Sequence, residues 1–467
     1  MGIKHKEFEI SQDNPFENCK LNRKKYADIL TNIIESYTEG FVLAINNKWG
    51  SGKTTFVRMW EQELKNKSFQ TLYFNAWEND FENNPLTALV GELKKLTKKD
   101  EEPKFQDVLK NAAILSKHIG PILVQAIAEK YFDTSNLKDS IGKITEGIAD
   151  IFEKDVDNYI EKKNGIADFR KSLSEFIANS CNDRPLVFII DELDRCRPNY
   201  AVLILEQIKH FFSVPNIVFI LAIDKVQLGN AVCGVYGSEK IDSDEYLRRF
   251  IDIEYNIPEP SGADFSLYLY EYFEFSEFFT NANRVQYLEL KNDETIFISI
   301  AKVLFANSSI TLRKQEKIFA HSRLVLRTFP ENFQVVPFVF LFLIYAKILN
   351  EEFYMEIKSK KLNLSQLQIK FFEIVRTRKN EENEEQLMWL EAYLIIYYNN
   401  YTKEDSNIFY RDQSGKRILN IKSMIDKNDT SYFLDVFRRI YETRNLSSFS
   451  IDYFLNRIDL TVDLIRA

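Results

Sequence analysis

This chain of 467 residues predicts an α/β fold with a mainly parallel sheet, a helical insert and a C-terminal all-helical region. Three observations carry that prediction. Short, nearly uninterrupted apolar runs alternate with helical patterns between residues 41 and 257, as expected for parallel strands covered on both faces. A turn of small residues, Asn47-Lys-Trp-Gly-Ser-Gly-Lys-Thr-Thr55, joins one such run to a helix. From about residue 262, strand patterns become scarce and aromatic-rich helical patterns continue to the end.

In chain order, Leu21 to Tyr37 has helical periodicity through Tyr26, Leu30, Ile33 and Ile34. Phe41-Val-Leu-Ala-Ile45 is the first strand, and Phe56 to Trp60 belongs to the helix after the turn. Thr71 to Asn75 is a second strand, and Pro85 opens a helix through Leu86, Leu89, Val90 and Leu93. Residues 94–167 break the rhythm. They begin with a dense mixed-charge stretch and continue as two helical stretches. In the second, Ile141, Ile144, Ile148, Ile151 and Phe152 trace one face. A helix near Asp168 to Ala178 leads back to strands at Leu186–Ile190 and Ile217–Ile223, with a helix at Ala201–Phe212 between them. Phe250 to Ile257 is the fifth candidate strand, stopped by Pro258. Beyond it, Phe338–Leu349 and Leu387–Tyr398 read as helices, and Arg378–Glu385 as a charged linker or helix start. The expected domains are 1–93 with 168–260 as the α/β core, 94–167 as the insert and 261–467 as the helical region.

Composition narrows the class. Hydrophobic residues make up 45% and charged residues 28%, an ordinary soluble profile. A net charge of −8 argues against broad electrostatic binding of nucleic acid. The four cysteines form no C-x-x-C pair, and the N-terminus lacks the apolar core of a signal peptide, so reduced thiols in the cytoplasm are expected. The four histidines are far apart in sequence and give little support to a histidine metal site. Ile119–Ala128 and Phe338–Ala346 are uncharged but well short of the roughly 20 apolar residues a membrane span needs.

The chemistry begins at the turn. Strand, small-residue loop and helix are the context of a phosphate-binding loop. Backbone N–H groups of Asn47, Trp49, Gly50, Ser51, Gly52, Lys53, Thr54 and Thr55 would surround a phosphate, and the helix aims its positive end at the same charge. Lys53 would reach the β- and γ-phosphates, and the Thr54 hydroxyl would sit on magnesium. Asn47 stands where such loops start with glycine, and asparagine tolerates positive φ. The second constellation is Ile190-Asp191-Glu192-Leu-Asp-Arg195. Asp191, at the end of a buried strand, suits magnesium held through water, and Glu192 suits general base work on an attacking water. Asp224, after the next strand, could orient that water, cap the following helix, or do both. Arg195, Arg249 and Arg313 are candidates for an arginine that stabilises developing charge.

These residues together resemble the KAP family of P-loop NTPases. The motifs are Asn-Lys-Trp-Gly-Ser-Gly-Lys-Thr-Thr, Phe-Asn-Ala-Trp (74–77), Ile-Asp-Glu-Leu-Asp-Arg-Cys (190–196) and Tyr-Leu-Arg-Arg-Phe-Ile (246–251). The lead-in from Asp13 and Pro15 through Leu21-Asn-Arg23 to Tyr26 fits as well, and the resemblance covers roughly residues 12–330. It implies a sheet of the additional-strand type, ATP as nucleotide, Asp191 and Glu192 in the roles above, and basic residues near Arg249 and Arg313. Many relatives carry transmembrane helices between the two nucleotide motifs. Here that place holds residues 94–167, which are not apolar enough, so a soluble insert, or at most a peripheral one, is expected. The resemblance also implies, weakly, a role in bacterial defence against phage. The expected function is Mg-ATP hydrolysis driving a conformational switch, with a homo-oligomer or protein partner through the helical regions. The alternatives are an ATP-binding scaffold with little hydrolysis and a small-molecule kinase, and Glu192 with the large helical tail argues against the kinase.

Overall fold

The computed structural model describes residues 9–19, 21–37, 39–97, 102–131, 148–181, 184–210, 212–238, 240–306, 310–403, 408–411, 413, 417–425, 430–442 and 446–461. The chain divides into two units, with the boundary between Pro258 and Glu259.

The first unit is built on five parallel strands: β1 (Phe41–Asn46), β2 (Thr71–Asn75), β3 (Leu186–Asp191), β4 (Ile217–Ile223) and β5 (Ile253–Asn256). Their order is β2-β3-β4-β1-β5. β4 therefore separates the strand that feeds the phosphate loop from the strand that ends in Asp191, which is the additional-strand arrangement. Both β3 and β4 are buried along their whole length. Their near-continuous apolar sequences follow from that position, since each has a neighbour on both edges and helices on both faces.

Alternation along the strands sorts the core into two layers. Leu43, Ile45, Val187, Ile189, Val218 and Ile220 face α1 (Lys24–Ser36) and α2 (Lys53–Asn66), where they meet Leu30, Ile34, Phe56 and Trp60. Ala44, Phe74, Phe188, Ile190, Phe219 and Leu221 face the other layer. That layer holds α3 (Pro85–Leu93), α4 (Glu102–Tyr131), α5 (Ile148–Ser180), α6 (Pro198–His210), α7 (Lys225–Tyr236) and α8 (Ser243–Leu247). Register aligns the carboxyl ends: Asn75 pairs with Asp191, Asp191 with Ala222, and Asn46 with Ile223. The ends of β1 to β4 thus meet at one edge, where ligands bind in open α/β sheets.

Two sequence expectations shift here. The helix near Asp168–Ala178 is the second half of a single helix, α5, that begins at Ile148. No breaker interrupts it, and Gly165 lies where α5 approaches Leu115 of α4, with that side chain 4.0 Å from where a Cβ would stand. α4 and α5 pack through Phe105, Val108, Leu115, Phe169, Leu173 and Phe176 into the same core as the sheet. The expected face through Ile141 and Ile144 lies outside the described residues. The fifth strand begins at Ile253, three residues later than its apolar pattern. Phe250 closes the turn after α8, and Asp252 binds the edge of β1 by accepting from Val42 N at 2.8 Å.

Among its described residues the second unit is helical apart from one short antiparallel ladder, β6 (Phe409–Arg411) with β7 (Arg417–Leu419), which the sequence did not signal. Pro337–Leu349 is a core helix, buried from Pro337 to Ala346. Arg378, read as part of a charged linker or helix start, is buried. Its guanidinium donates to Leu304 O at 2.8 Å and Tyr345 Oη at 2.6 Å. Among the described residues, no helix is long and apolar enough to cross a membrane.

Candidate functional site

The loop after β1 turns through two left-handed glycines, Gly50 at φ 78° and Gly52 at φ 79°. A side chain at Gly52 would be strained and would also meet Arg23 Nη1 at 3.0 Å. Asn47 is not among the described residues with positive φ, so tolerance of that conformation does not explain its place. Its side chain does: the amide donates to Ile257 O at 2.9 Å and its oxygen accepts from Lys48 N at 2.8 Å. A glycine could do neither. Ser51 is buried, and Thr54 and Thr55 are exposed in the first turn of α2.

Lys53 is buried, with Nζ donating to Asn47 O at 2.5 Å and Lys48 O at 3.2 Å. Burial lowers its pKa, while Asp194, Asp224 and Asp191 pull it back up. Asp191, also buried, accepts from Glu192 N at 2.8 Å through Oδ1 and from the Tyr73 hydroxyl at 2.9 Å through Oδ2. Burial raises its carboxyl above the usual range, against hydrogen bonds from Thr54 and Tyr73. Glu192 has a left-handed backbone at φ 59°. Its carboxylate is ion-paired with Arg195 at 2.5 Å and accepts from Asn75 Nδ2 at 3.3 Å. Asp224 caps α7 by accepting from Gln227 N at 3.3 Å, and its other oxygen accepts from Trp49 N at 3.2 Å. One carboxylate thus ties the end of β4 to the phosphate loop.

The structure adds residues that sequence reasoning passed over. Arg23, nearly fully buried, donates to Ser51 O at 2.7 Å and Gly52 O at 3.0 Å, fixing the peptides that end the loop. Asp194, also buried, accepts from the Trp49 indole N–H and lies close to Lys53. Arg23 had a signal in the lead-in motif, and Asp194 in the acidic motif, but neither pattern told which atoms they would meet.

The two distal arginines are placed differently. Arg249 is exposed and lines a cavity with Phe41, Val42, Lys209 and Val214, at the amino ends of β1 and β4. β1 is six residues long, so about 17–20 Å of strand separates that end from the loop. Within one chain Arg249 therefore does not join the residues at the carboxyl edge. Arg313 belongs to the second unit, exposed in the first turn of the helix Leu312–Leu326.

The donor set fits a magnesium nucleotide. The loop supplies backbone N–H groups and a buried ammonium, and Thr54 with Asp191 supplies hard oxygen donors of the kind magnesium takes alongside phosphate oxygens.

Two solved structures resemble the chain loosely. One is the Aeropyrum pernix ORC2 protein in ADPNP-ADP complexes, with a TM-score of 0.27 and 14% identity, covering 66% of this chain and 74% of that one. The other is a DNA replication initiation factor, with a TM-score of 0.24 and 11% identity over 97% and 98% of the two chains. Similarity this low carries no argument about either protein's activity. No curated protein matches the sequence. The family model for the KAP family P-loop domain matches residues 23–328, from the arginine under the loop to the second unit. That match takes in the loop, the acidic motif at 190–195 and Asp224 after β4, and the chain belongs to the KAP family of P-loop NTPases.

Proposed function

We propose that this chain binds Mg-ATP at the carboxyl edge of its sheet and hydrolyses it to drive a conformational switch. The supporting observation is that Asp191 and Glu192 end β3 on the same edge as Lys53 and Thr54, with β4 and Asp224 between the two sides. Lys53 neutralises the β- and γ-phosphates, and Thr54 with Asp191 holds magnesium. The metal, when bound, supplies charge neutralisation at the phosphoryl oxygens. Glu192 takes the proton of the attacking water. Asp224, already held on the loop through Trp49 N, orients that water.

A base must be free to accept a proton, and Glu192 is paired with Arg195 and Asn75. Opening that pair is the step at which a conformational change gates hydrolysis. The same pair favours the second reading, an ATP-binding scaffold or signalling protein with little basal hydrolysis. The α4–α5 insert and the helical unit are then the parts that report the nucleotide state to a partner or a second copy. Defence against phage follows only from the family resemblance. Turnover of ATP by the full chain, compared with its Glu192→Gln variant, tests the proposal. Glutamate-dependent release of phosphate supports hydrolysis, whereas tight Mg-ATP binding with no turnover in either chain supports the scaffold.

A further inference from the structure

We propose that Tyr73 is a positioning residue for magnesium, fixing the Asp191 carboxylate from the neighbouring strand while Arg58 fixes Tyr73 in turn. This inference rests on the reading of Asp191 as the magnesium carboxylate.

Tyr73 sits mid-strand in β2, opposite Ile189 of β3. Asp191 is two residues beyond Ile189, so it points to the same face and is the diagonal neighbour of Tyr73. Diagonal neighbours stand about 7–8 Å apart at the backbone, beyond a short side chain but within reach of a phenol. The phenol donates to Asp191 Oδ2 at 2.9 Å.

The ring is held as well. Arg58 lies over it, with the guanidinium carbon 4.1 Å from the ring centre, and Glu61 pairs with Arg58 at 3.3 Å. Arg58 follows Thr54 by four residues on α2, on the same helix face. One face of α2 therefore presents the Thr54 hydroxyl to Asp191 directly and steadies the tyrosine that holds the same carboxylate. A carboxylate offers about four acceptor positions. Glu192 N holds Oδ1 and Tyr73 Oη holds Oδ2, with Thr54 also bonded to the carboxylate, so its orientation is fixed. Such outer partners typically change metal affinity by about 10–100-fold.

The test is ATP binding to the full chain by calorimetry, titrated with magnesium and repeated in EDTA. Tyr73→Phe should raise the magnesium concentration for half-saturation about tenfold and leave ATP affinity in EDTA unchanged. Arg58→Met, which removes the guanidinium from a half-exposed position, should raise it about threefold. Equal half-saturation in Tyr73→Phe and the wild-type chain overturns the inference and leaves the reading of the site intact. A wild-type chain that binds ATP equally well with and without magnesium overturns the reading itself. Should Tyr73→Phe lose ATP binding in EDTA as well, Arg58→Met decides: a raised half-saturation supports the inference, and an unchanged one overturns it.

Discussion

Asp191 and Glu391 are both buried acids, one in each unit, and burial raises both carboxyls. Their surroundings differ in kind. Glu391, in the helix Glu384–Thr402, accepts from Gln368 Nε2 at 2.8 Å, Ser423 Oγ at 2.6 Å and Met424 N at 2.9 Å. Those donors bring two otherwise distant segments onto one helix. Held by three uncharged donors from distant segments, Glu391 is a staple. Asp191 lies instead among Glu192, Asp194 and Asp224, with Lys53 and Arg195 as the nearby cations. An excess of negative charge over these two cations, much of it buried, costs stability and favours a bound cation. The comparison separates polar burial that holds a fold from polar burial that, on the proposed reading, serves a ligand.

The strongest test of that separation is at Lys53. Lys53→Ala removes the cation that balances the acids and, on the proposed reading, meets the phosphates. ATP affinity by calorimetry should fall about a hundredfold, the scale of losing a hydrogen-bonded charge. Unchanged affinity would show that the loop is not the nucleotide site. Glu192→Gln comes next. It keeps the shape and the contact with Asn75, so Mg-ATP should still bind while phosphate release slows by on the order of 10²-fold or more. Near wild-type turnover would assign the base to another residue.

The paired acids then predict opposite stability effects. Glu391→Gln exchanges an acceptor for a donor among three donors, and thermal or denaturant unfolding should show a loss of about 1–3 kcal/mol with ATP affinity intact. Asp191→Asn relieves charge crowding and should leave stability unchanged or raise it by about 1 kcal/mol, while magnesium no longer strengthens ATP binding. If Asp191→Asn destabilises as much as Glu391→Gln, the contrast between staple and site fails. Arg195→Gln gives a smaller effect. Freeing Glu192 from a partly exposed pair worth no more than about 1 kcal/mol should raise basal turnover a few-fold. A fall would instead assign Arg195 to the phosphoryl group.

The strands, the loop and the acidic motif were legible because each is a local pattern: a continuous apolar run, Gly-Lys-Thr before a helix, carboxylates closing a strand. What escaped depends on register between distant segments. Tyr73 meets Asp191 across 118 positions, and Arg23 meets Ser51 across 28. The β6–β7 ladder has three residues per strand, too few for alternation to show. Arg249 teaches a different lesson. The family resemblance puts a basic residue at its position, yet it precedes β5, and a strand parallel to β1 must begin at the edge far from the loop. Chain direction alone carried that information.

The smallest expected effect concerns where a completing arginine comes from. Arg249 stands at the amino ends of the strands, so it can act on nucleotide only if a second copy presents that edge to the loop of the first. Arg313 is exposed and carried by the other unit, so it too is free to serve a neighbour. Arginines supplied this way stabilise developing phosphoryl charge in other NTPases. We therefore expect Arg249→Ala or Arg313→Ala, inactive alone, to regain partial turnover when mixed with the inactive Lys53→Ala chain. Random pairing creates some interfaces with an intact loop on one side and an intact arginine on the other, so recovery should stay well below the wild-type rate. Mass measurement with Mg-ATP should show a species larger than the monomer under the same conditions. Recovery with only one of the two variants names the arginine that acts between chains. A monomer throughout, with no recovery in either mixture, would remove Arg249 from the site and leave Arg195, or Arg313 acting within its own chain, to meet the phosphoryl charge.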